Sequence, residues 1–189
     1  VEGDVEVYWV EGGQSFGRTL MRITQDALTN LATSAGLVPE GKIRVNVYPS
    51  AEALQNAALF LPEWTGGVAI FEHGVIMAGI PEGEIDWAEE VIPHEVAHLV
   101  TDERIFNCLG VGLPTWLSEG LAVSSEGPIS ENDRRMVESG LERGTLPLLR
   151  TLTAGFPADT QKATQAYAIS GAVVRFTLIE YGPEKMSAL

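Results

Sequence analysis

His94-Glu95-Val96-Ala97-His98, set within Ile92-Pro93 and Leu99-Val100, is the stretch whose reading decides the fold. Two histidines four apart on a helix lie on one face, about one turn from each other. Both imidazoles then reach a single Zn²⁺ at ~2.0–2.1 Å. Glu95, beside the first histidine, points to the side where a water on the metal would lie. A carboxylate there accepts the water's proton as it attacks a carbonyl. The chain has only three histidines, and two of them stand in this pentapeptide. The competing interpretation is an amphipathic helix whose histidines face solvent or a core edge.

A catalytic zinc normally keeps three protein ligands and one open position. His73 is the only other histidine and occupies an expected turn, where solvation is the commoner state, so a carboxylate is the natural third donor. Trp116-Leu117-Ser118-Glu119-Gly120-Leu121-Ala122 supplies one. Glu119 stands among Trp116, Leu117, Leu121 and Ala122, where an unpaired carboxylate is costly to bury and a metal would satisfy it. The alternative is a glutamate on the solvent face of that helix.

Working outward, Val5, Val7 and Trp9 alternate with Glu6 and Tyr8 at the period of a half-buried strand. Phe16, Leu20, Ile23, Ala27, Leu28 and Leu31 have helical spacing over 15–34, with Gly36 as the stop. Ile43, Val45 and Val47 predict a second strand, and Ser50 caps a helix expected over 51–59. Residues 66–71 and 74–80 predict a hairpin turning at Glu72-His73-Gly74. Beyond Ile80 the pattern turns helical, over 86–101, 114–123, 131–141 and 160–181. Pro93 falls inside the first of these. It either kinks a continuous helix, the preferred expectation, or restarts the helix as its first turn. The expected class is α+β: an N-terminal twisted mixed sheet with helices, then a mainly helical C-terminal half around an active-site cleft. One domain is expected over 1–189, with lobes at about 1–103 and 104–189.

Charge and composition narrow the function. A formal charge of −14 argues against nucleic acid, whose phosphates would be repelled, and disfavours strongly acidic substrates. No apolar run approaches the ~18–20 residues that span a bilayer. The single cysteine, Cys108, excludes an internal disulfide and is expected to be a packing residue rather than a nucleophile. Val1 is not a natural start, so the chain is expected to be a mature or excised segment.

With both motifs in place, twenty residues (99–118) apart, the sequence resembles the gluzincin metallopeptidases, and more narrowly the bacterial peptidase MA-like domains. The β-α-β opening, the hairpin before the histidine helix, and the ending Ala166-Tyr167-Ala168-Ile169-Ser170 through Glu180-Tyr181-Gly182 are similar as well. The resemblance implies a zincin-like fold with one Zn²⁺ per chain, held by His94, His98 and Glu119. Glu95 is then the general base, and the substrate is a peptide or protein. It also implies a sheet edge, formed by 66–71 or 74–80, that pairs with an extended peptide. The alternative is an edge covered by a loop.

Tyr167 matches the family's tyrosine position, where its phenol would donate to the developing oxyanion; Ser170, three residues on, is a weaker candidate. A core tyrosine is the competing interpretation. Asp102, four beyond His98, is the best candidate to orient a ligand histidine, against a plain solvent-exposed aspartate. The acidic residue that thermolysin-type chains carry four beyond the glutamate ligand is here Val123, so an orienting carboxylate must come from elsewhere or be absent. The exopeptidase motif of the zinc aminopeptidases is missing from the hairpin. The resemblance further implies an extracellular or cell-surface bacterial protein. Two other interpretations stay open: a non-catalytic binding or regulatory module on the same scaffold, and a domain active only within a longer polypeptide.

Overall fold

Val5 and Val7 of β1 (Val5–Trp9) are buried on one side of the strand, while Tyr8 on the other is exposed. The same period-two pattern buries Ile43, Val45 and Val47 in β2 (Ile43–Tyr48) and Ile76 and Ala78 in β4 (Val75–Gly79). Register stacks these residues directly, Val7 beside Val45 and Val45 beside Ile76, so one sheet face is a continuous apolar surface. The computed structural model describes residues 4–58, 66–105 and 112–186. Cys108 and the expected helix end at 59 lie outside them.

The four strands are ordered β1-β2-β4-β3, with β1, β2 and β4 parallel and β3 (Gly67–Ile70) antiparallel to β4. The expected hairpin forms, turning through Phe71–His73 and Gly74. Its second strand is not a sheet edge, because β4 is hydrogen-bonded on both sides. The edge is β3.

Helix α1 (Gln14–Ala35) buries Phe16, Leu20, Ile23, Ala27 and Leu31 in the same core as the strands. Gly36 closes it, donating its N–H to the Ala32 carbonyl. Ser50 caps α2 (Ala51–Ala57), accepting from the Ala53 N–H at 3.0 Å. Helix α3 (Ile85–Ile105) continues through Pro93 and is buried on most of its circumference. It is the central element, packed against α1, α4 (Thr115–Ser125) and the β3–β4 hairpin.

The remaining elements are helical. They are α4, α5 (Glu131–Arg143), α6 (Thr160–Tyr181) and the short α7 (Pro183–Met186), with a 3-10 turn at Leu149–Leu152. The fold is therefore α+β, as expected. The 3-10 turn and α7 were not legible, being too short to show a period. No helix among the described residues is long and apolar enough to cross a membrane.

The union of α4 with α6 rests on a close approach. A Cβ on Gly120 would lie 2.6 Å from the Ser170 carbonyl oxygen, so only glycine lets the two backbones come this near. Gly120 directly follows Glu119 in α4.

Candidate metal centre and cleft

Helical spacing brings His94 and His98 together as expected, their Nε2 atoms 3.1 Å apart. Helix α4, crossing α3, delivers Glu119 Oε2 to 3.6 Å from His94 Nε2 and 3.4 Å from His98 Nε2. Each histidine's other nitrogen is engaged. His94 Nδ1 lies 2.6 Å from Glu126 Oε1, and His98 Nδ1 lies 3.2 Å from Ser118 Oγ. With Nδ1–H donating to Glu126 and to Ser118, both Nε2 atoms present lone pairs to the shared space.

Three acceptors thus converge on one point, which is unfavourable unless a cation sits among them. Four ligands in a tetrahedron around zinc at ~2.0–2.1 Å stand ~3.3 Å apart, and the observed separations of 3.1, 3.4 and 3.6 Å bracket that spacing. Glu119 Oε2 is also a buried acceptor with no hydrogen-bond partner among the described residues. A metal would satisfy it, and the donor set fits one.

The electrostatics agree. Burial alone would lower the pKa of His94, but its contacts with Glu119 and Glu126 outweigh this and hold it at about 10. Burial alone would raise the pKa of Glu119, but His94 and His98 bring it down to about 2. Without a metal, a proton on His94 supplies the missing positive charge.

Glu95 is 7 % exposed, on the α3 face toward β3. Burial pushes its pKa up, while the two histidines and the Ala69 backbone draw it down. The strand approaches so closely that a Cβ on Gly67 would lie 2.8 Å from Glu95 Cγ. Gly67 therefore leaves the space that the Glu95 carboxylate occupies.

The cleft around His94, His98 and Glu119 encloses about 800 Å³ and includes Tyr167 of α6, Asp102 and Val68 of β3. Tyr167 stacks edge-on against Phe156 with centroids 4.8 Å apart. Burial, with the charges of Glu119, Glu95 and Glu126, pushes its pKa up to about 12, so the phenol keeps its proton at neutral pH. Ser170 does not share this position. It is fully buried, with its carbonyl against Gly120.

Asp102 lines the cleft half-buried, but it makes no hydrogen bond to His98 among the described residues; Ser118 holds that position instead. His73 is exposed in its turn and outside the ligand cluster, as expected.

The group that sequence reasoning missed is Glu126. It lies seven residues beyond Glu119, two turns along the same face of α4 and just past its end, and it supplies the carboxylate that Val123 cannot. Helical spacing carries that signal, since the seventh residue returns to the face of Glu119. Arg175 of α6 donates Nη2 to the Val123 carbonyl at 2.8 Å and anchors the last turn of α4 from which Glu126 leaves.

No curated protein matches the sequence. A family model described as the Peptidase MA superfamily matches residues 23–189, a span that holds the histidine pair, Glu95, Glu119 and Glu126, and the chain belongs to that superfamily.

Proposed function

We propose that the protein is a zinc-dependent peptidase of gluzincin type, with His94, His98 and Glu119 as metal ligands and Glu95 as general base. The observation that carries this reading is the convergence of three acceptors beside a buried carboxylate that is not itself part of the ligand set. A purely structural metal site has no use for such a base, and such sites close all four positions, often with thiolates.

A zinc ion bound there would acidify water and polarise the scissile carbonyl. Glu95 takes the proton of the attacking water and returns it to the leaving amine. Its raised pKa suits both steps, since a carboxylate of higher proton affinity is the better base. Tyr167 donates its phenolic hydrogen bond to the oxyanion that develops on the carbonyl oxygen.

The substrate lies along β3. Gly66 pairs with Gly79 through a backbone hydrogen bond, so the alternation of antiparallel pairing turns the N–H and C=O of Gly67 and the C=O of Ala69 away from β4, while the Ala69 N–H donates to Glu95. An extended peptide pairing with that edge would be held by its backbone whatever its side chains.

The test is digestion of a broad peptide library by the zinc-loaded protein, repeated after chelation and after zinc is restored. Cleavage that disappears with the metal and returns with it supports the reading. A metal-replete protein that cleaves nothing but still binds peptides favours the non-catalytic binding module.

A further inference from the structure

The start of the edge strand lies down on α3. A Cβ on Gly67 would meet Val91 as well as Glu95, and a Cβ on Gly66 would lie 2.3 Å from Cζ2 of the Trp87 indole. Trp87, Val91 and Glu95 stand four apart on α3, so one helical stripe runs beneath β3 toward the histidines. Two successive glycines let the strand come down onto it.

Trp87 is fixed from two sides. Its indole N–H donates to the Gly79 carbonyl at 3.1 Å, and its six-membered ring lies against Gly66. Trp87 nevertheless stays 38 % exposed, and it lines the same cleft as His94, His98 and Glu119. It is the largest side chain in that wall among the described residues. Val68 and Val91, on the strand and the helix that meet there, line the cleft too and extend its apolar surface.

An indole whose N–H is already satisfied offers a ligand only its apolar face. Because the ring is held in place, little side-chain freedom is lost when something packs on it. A peptide paired with β3 would pass this ring. A helix rises ~1.5 Å per residue, so Trp87 lies about 10 Å from His94 along α3. An extended chain advances ~3.3 Å per residue, which puts the ring about three residues from the bond under attack.

We propose that Trp87 is a specificity determinant of the cleft: its exposed face forms a subsite for a large apolar side chain, of leucine or phenylalanine kind, about three residues from the scissile bond. The inference rests on the peptidase reading above, and the two fail separately in the following experiment.

Quenched fluorescent peptides that differ only by Leu or Ala are compared, with the substitution moved position by position away from the scissile bond on either side. Turnover is read with zinc-loaded wild type, and binding with zinc-loaded Glu95→Gln, which holds substrate without cleaving it. At one position about three residues from the bond, Leu is expected to exceed Ala by about tenfold in both kcat/KM and affinity. The preference should persist in added salt, which screens charges but leaves apolar contact intact. Trp87→Ala is expected to bring the ratio at that position toward one, with zinc content unchanged. Should Trp87→Ala not fold, Trp87→Phe, which keeps a ring but loses its reach and the bond to Gly79, is expected to lower the ratio by at least about twofold.

A wild-type ratio near one at that distance on both sides overturns the proposal, as does a preference that salt abolishes. So does an unchanged ratio in a folded Trp87 variant, because a ring that only props up β3 would slow both peptides alike. Selective binding of the Leu peptide without any turnover leaves the subsite standing and overturns the peptidase reading, while binding of neither peptide overturns both.

Discussion

Glu126 Oε1 sits 2.6 Å from His94 Nδ1, across 32 residues of sequence, and this bond decides which nitrogen of His94 is free for a metal. The nitrogen left over, Nε2, is the one that faces His98 and Glu119. A ligand set read from sequence as two histidines and a glutamate is thus held by a further carboxylate from the end of α4.

Replacing that carboxylate should weaken the metal more than the fold. Glu126→Gln keeps the shape but loses the charge-assisted bond, and zinc affinity should fall about 10- to 100-fold. Competition with a chelator of known affinity measures it. Equal affinity in variant and wild type would remove Glu126 from the account.

Gly67→Ala probes the space beside Glu95, the proposed base. The new methyl would lie 2.8 Å from Glu95 Cγ and 2.9 Å from its Oε1, so the carboxylate must move. Because displacement by a fraction of an ångström is felt strongly in catalysis, kcat should drop about 10- to 100-fold while bound zinc stays at the wild-type level. Steady-state kinetics with metal analysis on the same sample checks both halves.

Gly120→Ala sets two effects against each other. Alanine improves helix propensity by about 1 kcal/mol, but its Cβ would meet the Ser170 backbone at 2.6 Å, and overpacking costs about 1–3 kcal/mol. Ser170 O is backbone and cannot swing aside, so the clash should win. The denaturation midpoint is expected to fall, and a rise would mean that α4 and α6 part readily.

The pH dependence of the metal-free protein follows from His94. Its folded pKa of about 10 lies above the ordinary 6.5, so the protonated cluster stabilises the fold fully below pH 6.5, and that stabilisation fades as pH rises through about 10. Zinc must displace the same proton, so its affinity should move the other way, gaining up to about tenfold per pH unit over that window. Thermal melts of the metal-free protein and zinc titrations across the window test the pair of trends. On the acid side, Glu119 at about 2 has the opposite sign: its contribution is present above pH 4.5 and is lost as pH falls toward 2.

Much of this was legible in the chain because it is local. Phe16, Leu20, Ile23, Ala27 and Leu31 repeat at helical spacing, and His94 and His98 do the same, so a period suffices to place them on one face. Glu119 was legible because a carboxylate among apolar neighbours demands a partner. What escaped depends on where elements cross. The insertion of β4 between β2 and β3 is a tertiary choice that no strand records. Ser118 meets His98 only because α4 crosses α3 at that height, so Asp102, nearer in sequence, was the natural but incorrect choice. The contact of Gly67 with Glu95 likewise depends on the strand–helix distance, which leaves no pattern in composition.

The most direct test of the central claim is to compare wild type with Glu95→Gln, measuring zinc content and peptide cleavage on the same preparations. The predicted result is one zinc per chain in both proteins, with cleavage in wild type alone. Loss of zinc in the variant would make Glu95 part of the metal's support rather than the base, and undiminished cleavage by a zinc-loaded Glu95→Gln would contradict the mechanism outright.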